Sequence, residues 1–204
     1  DMARAADRAE ASLADLGIAF LFAQNHHPAM GRIAPIRRAI GKRTIFNLMG
    51  PLANPARVSR QLIGIARSAY VPIYAEALQA LGTERSLVVC GDEGLDELSL
   101  AGGNDVASLS QGGVDLLRWT AADAGLPSHP VSALRGGDAH HNAAALRALL
   151  LVETGAYRDA VLFNAAASLL IAGEVTNLVH GVEEAAEAID KGLAKALLDC
   201  WIAF

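Results

Sequence analysis

QLIGIARSAYVPIYAEALQALGTERSLVVCG, residues 61–91, opens with an apolar run of strand length, continues with apolar residues at helical spacing, and closes with a second apolar run. Strand, helix and strand in succession describe a βαβ unit, so the expected fold is α/β, with a mostly parallel central sheet flanked by helices. Downstream, VASLSQGGVDLLRW (106–119) reads as two short strands joined through Gly112 and Gly113, an antiparallel excursion from that sheet. Helices then dominate. Asp138 is placed to cap HHNAAALRALL, and Ala-rich helices are expected over 160–173 and 182–196, packed closely on the sheet. Upstream, MARAADRAEASLADLG (2–17) reads as a helix stopped by Gly17, and IAFLF (18–22) as a short buried strand.

Composition narrows the class. With 204 residues, 52% hydrophobic and 19% charged, the chain can bury a sizeable core. A net charge of −5 and a pI near 5.6 leave no broad basic surface, which argues against nucleic acid and anionic membrane as partners. Cys90 and Cys200 lie far apart with no CxxC pair, the usage of a cytoplasmic protein with reduced thiols. No run approaches the ~20 apolar residues of a membrane span, and no signal peptide is recognisable. The chain starts at Asp1 rather than Met, which sets the expectation of further sequence upstream.

Three groupings of residues carry chemistry. The stretch NHHPAMGRIAPIRRAIGKRTIFNLMGPLANP (25–55) is broken repeatedly by Gly and Pro, so it reads as a segment that places side chains around a ligand rather than as a core helix. Within it, Arg37 could hold a carboxylate through two parallel hydrogen bonds, although a solvated helix charge is the commoner fate of such a residue. His27 could donate or accept a hydrogen bond beside it. Gly50 and Pro51 open the GPLANP loop, where Gly50 permits close approach and positive φ and the prolines stiffen the turn; ligand wall and rigid connector both fit. In GDEGLDEL, Asp96 and Glu97 follow a strand at the expected carboxyl edge of the sheet, where α/β proteins bind ligands. Paired carboxylates on a turn suit Mg²⁺, and a solvated acidic turn is the plain alternative. The adjacent pairs His26–His27 and His140–His141 cannot each aim two rings at one metal, and the latter are expected to be exposed in a first helical turn. Asn47, Asn142 and Asn164 are expected to order interior backbone.

The runs FLFAQNHHPAM (20–30), RIAPIRRAIGKRTIFNLMGPLANP (32–55), SLVVCGDEGLDELSL (86–100), RGGDAHHNAAALRALL (135–150) and YRDAVLFNAAASLLIAG (157–173) together resemble the anthranilate phosphoribosyltransferase family. The resemblance covers nearly the whole chain, with its motifs in the family's order. It implies transfer of a phosphoribosyl group from phosphoribosyl pyrophosphate to anthranilate in tryptophan biosynthesis, with Mg²⁺ as cofactor. It also implies His27, Arg37, Gly50 and Pro51 at the anthranilate site, and Asp96 and Glu97 on the metal. The family's small amino-terminal helical domain, its GTGGD-type pyrophosphate loop and its KHGN segment have no counterpart here. Residues 1–204 are therefore expected to form an incomplete large α/β catalytic domain, a homodimer when complete. Two other readings stand beside this one: a pyrimidine nucleoside phosphorylase-like enzyme of similar architecture, and a non-catalytic homologue that binds nucleic acid or protein.

Overall fold

The structure, a computed structural model, describes residues 6–21, 26, 33, 35–36, 39–41 and 49–204. It divides into two compact units, one made of Asp1–Val58 with Leu197–Phe204, the other of Ser59–Ala196. In the first unit, helix α1 (Ala9–Leu16) stops where expected, at Gly17, whose φ of +74° is open to glycine and whose N–H bonds the Leu13 carbonyl at 3.1 Å. The expected strand after it does not form over 18–21. The Ser12 hydroxyl donates to the Ile18 carbonyl at 2.6 Å, an acceptor a ladder would need, and Phe20 is 48% exposed. Phe22, the last residue of that expectation, lies outside the described residues.

The second unit contains the βαβ unit as read. Strand β1 (Arg60–Gly64) and strand β2 (Arg85–Gly91) are parallel, with Arg60 opposite Arg85 and Gly64 opposite Val89. Between them runs α2 (Val71–Ala80), which starts with Pro72 in its first turn and buries Val71, Tyr74, Ala75 and Leu78, a single helical face. The antiparallel excursion is β3 (Asn104–Ser110) and β4 (Gly113–Trp119). It supplies two of the three strand pairings among the described residues, giving a mixed sheet in the order β1-β2-β3-β4.

Both faces of β2 are buried because helices cover both. Leu87 and Val89 join Leu98, Leu100, Val106, Phe163, Ala166 and Ala167 in one cluster beneath α4 (Ala156–Ala172). Ser86, Val88 and Cys90 alternate to the opposite face, and α2 packs on β2 and β3. Each large apolar side chain buried this way stabilises the unit by about 1.5–3 kcal/mol. Helix α3 (Ala139–Leu150) begins as expected, with the Asp138 carboxylate accepting the His141 N–H at 2.8 Å, and both His140 and His141 are exposed. The helix read over 182–196 is two helices, α5 (Leu178–Asp190) and α6 (Leu193–Ala203). Gly192, at φ +73°, ends the first by bonding the Ile189 carbonyl, and a left-handed glycine cannot sit inside a continuous helix. α4 packs on β1 and β2 as expected, whereas α5 packs chiefly on α4, where a Cβ on Gly181 would lie 2.8 Å from both Cα and Cβ of Ala166. Among the described residues no helix is long and apolar enough to cross a membrane.

Candidate functional site

β1 and β2 run parallel, so Gly64 and Gly91 end at the same carboxyl edge of the sheet. The acidic segment Asp92–Glu97 leaves β2 there. Gly94 turns it at φ +75°, and the Gly94 N–H bonds the Gly91 carbonyl while the Gly91 N–H bonds the Leu95 carbonyl, both at 2.9 Å. The chain then dives into the core at Leu98, Ser99 and Leu100, each 1% exposed or less.

Two asparagines hold that descent. Asn164, on α4, accepts the Leu98 N–H at 2.9 Å and donates to the Leu98 carbonyl at 3.1 Å. The fully buried Asn104 repeats the arrangement on the next residue, accepting from Ser99 N–H at 2.6 Å and donating to its carbonyl at 3.0 Å and to that of Trp119 at 3.2 Å. Buried backbone without such partners would cost about 1–3 kcal/mol per group. Asn164 thus orders interior backbone as the sequence suggested. Asn142 does the same for Gly137, but at an exposed turn, and Asn47 lies outside the described residues.

The four acids of the segment divide by what they touch. Asp92 is committed to Arg118, whose guanidinium donates to it at 2.6 Å and to Asp105 at 2.7 Å. Asp92 also accepts the Gly103 N–H, and Ser68 donates to Asp105. The Arg118 hydrogen bonds hold the Asp92 carboxyl below its ordinary range, and those of Ser68 and then Arg118 do the same for Asp105. Glu93 lies over Gly102, where a Cβ would meet its carboxylate at 3.0 Å. Asp96 and Glu97 are exposed, and among the described residues neither forms an ion pair. Two adjacent carboxylates without a cationic partner are the donors that Mg²⁺ accepts, an ion that keeps waters and substrate phosphates for its other positions. The residues fit such an ion on that count. No group of three or more His, Cys, Asp or Glu is arranged for a metal among the described residues, which a two-carboxylate site does not require.

The other expected site residues fall in the first unit. Gly50 and Pro51 start a 3₁₀ turn, Pro51–Ala53, in which the Ala53 N–H bonds the Gly50 carbonyl at 3.1 Å. Gly50 does not use positive φ: it sits at φ −52°, with nothing within 4 Å of a Cβ built on it. The turn starts helically and therefore asks nothing special of that residue. His27 and Arg37 lie outside the described residues. Sequence reading missed the Arg118 pairing with Asp92 and Asp105, which depends on strand register. It also passed over Gly64, although a glycine in a strand signals close backbone approach.

The model of the glycosyl transferase family, a/b domain, matches residues 1–195, and the chain belongs to that family. Within the family, the chain is 70% identical over 200 residues to the anthranilate phosphoribosyltransferase of Novosphingobium aromaticivorans, covering 98% of this chain and 61% of that protein. It is 70% identical over 204 residues to that of Sphingopyxis alaskensis, again covering 61% of the relative. Among solved structures, anthranilate phosphoribosyltransferase from Thermus thermophilus superposes with a TM-score of 0.89 at 40% identity, over 96% of this chain and 58% of that one. The enzyme from Saccharomyces cerevisiae in complex with PRPP and Mg superposes at 0.85 with 27% identity, over 95% of this chain and 56% of that one. The chain therefore spans 61% of the length of the two relatives named first.

Proposed function

We propose that this chain belongs to the large α/β domain of an anthranilate phosphoribosyltransferase, a cytoplasmic enzyme of tryptophan biosynthesis that is a homodimer when complete. The reaction moves the phosphoribosyl group of phosphoribosyl pyrophosphate to the amino nitrogen of anthranilate. A carbon–nitrogen bond forms at the ribose carbon, the carbon–oxygen bond to pyrophosphate breaks, and the amine loses a proton. The observation that carries the reading is the Asp96–Glu97 pair, exposed and without a cationic partner among the described residues at the sheet's carboxyl edge, in a chain 70% identical to relatives of that name.

Departure of pyrophosphate leaves positive charge on the ribose, so the reaction needs positioning and electrostatic stabilisation more than protein acids or bases. Asp96 and Glu97 would hold Mg²⁺, which when bound neutralises phosphate charge. Arg37 would hold the anthranilate carboxylate bidentately, His27 would hydrogen-bond beside the ring, and Gly50 and Pro51 would border the acceptor; these roles rest on the resemblance. The test is loss of anthranilate fluorescence on adding phosphoribosyl pyrophosphate, with and without Mg²⁺. Arg37→Ala is expected to weaken anthranilate binding far more than phosphoribosyl pyrophosphate binding, and equal weakening of both counts against the assignment.

A further inference from the structure

We infer that Asn164 and Gly64 are positioning residues for the Asp96–Glu97 carboxylates, an inference that rests on the metal reading above. Gly64 braces the peptide that joins the pair, and Asn164 holds the residue that follows it. Within the pair itself, the Asp96–Glu97 peptide lies directly against the end of β1. A Cβ on Gly64 would fall 1.6 Å from the Asp96 carbonyl oxygen, 2.4 Å from its carbon and 3.2 Å from the Glu97 nitrogen. No side chain fits there, and none of these contact atoms can yield, because all are backbone. On the carboxyl side, the Asn164 carboxamide matches both the N–H and the carbonyl of Leu98, the residue after Glu97.

Asn164 is itself held. Its amide also donates to the Ala160 carbonyl one turn back on α4, at 3.0 Å, and α4 is anchored by Phe163, Ala166 and Ala167, none of them exposed. Only the Glu97 backbone lies between the two contacts. The Asp96 and Glu97 side chains are exposed while the backbone that carries them is fixed, so the two carboxylates leave the sheet edge together, without a cationic partner among the described residues. A hard cation selects for that arrangement, since ligands must be held within about 0.5 Å of productive geometry. The clamp is a relay of backbone contacts rather than a hydrogen bond to the carboxylates, which would compete with the metal.

The test is Mn²⁺ binding, followed by electron paramagnetic resonance of the free ion, in the 204-residue chain and its variants. Asn164→Ala and Gly64→Ala are each expected to weaken Mn²⁺ binding by roughly tenfold or more, as is usual when support around a ligand is lost. Leu162→Ala, on the same helix but in a separate cluster with Leu149, Ala185 and Ile189, is expected to lower the melting temperature and leave Mn²⁺ affinity unchanged. The double variant Asp96→Asn, Glu97→Gln is expected to lose binding. Unaltered Mn²⁺ affinity in Asn164→Ala and Gly64→Ala, with loss in the double variant, overturns the positioning role alone. Retained binding in the double variant overturns the metal reading and this inference with it.

Discussion

Arg118 lies against the backbone of Gly103, where a Cβ would come within 2.4 Å of the guanidinium, and from there it bridges Asp92 and Asp105. Both carboxyls are held below the ordinary value of about 3.9, so their contribution to stability is complete above that pH and is lost as pH falls through the lower folded values. Arg118→Met should therefore flatten the acid limb of stability below about pH 4. At neutral pH it should cost little, because the pairs are half-exposed. Urea midpoints across a pH series decide the matter, and parallel curves for both proteins would contradict it. GDEGLDEL shows four acids on a turn, but only the register of β3 and β4 brings Arg118 to one of them, so the division of labour within the motif was not legible. Asp138 and Gly17 were legible because caps act within three or four residues.

The crossing of α4 and α5 leaves no room for a Cβ at Gly181, which lies against the Cα and Cβ of Ala166. Gly181→Ala is expected to destabilise by about 1–3 kcal/mol through overpacking, even though alanine is the better helix former. Adding Ala166→Gly should recover part of that loss, and a double-mutant cycle by urea unfolding measures it. Additive losses would mean the two residues do not meet. The Ala-rich runs announced close packing but not its partner. Gly192 carries a stop signal within the run read as one helix, and a lone glycine there is compatible with both continuation and a break. The residues after Gly17 depart from expectation for a related reason: five apolar residues in a row do not distinguish a strand from an irregular segment, and over 18–21 the Ser12 hydroxyl decides between them.

The sheet as a whole followed from the alternation of apolar runs, since the period of a pattern survives folding. The parallel direction of β1 and β2 followed from the helix read between them, since strand, helix and strand in succession make a βαβ crossover. The assignment of Asp96 and Glu97 came from resemblance, and the carboxyl edge they occupy came from the pattern itself. Cys90 is buried in an inner strand at 2% exposure, and burial first, then the fields of Asp105, Asp92 and Asp96, pushes its thiol up. Cys200 is exposed. The chain therefore carries its own stopwatch: an alkylating reagent should consume Cys200 at once and reach Cys90 only in the moments when the central strand has come apart. The rate of that second reaction, followed against urea, reads out how often the sheet opens, with no cysteine introduced. Equal rates at the two thiols would show that the strand is not closed at all.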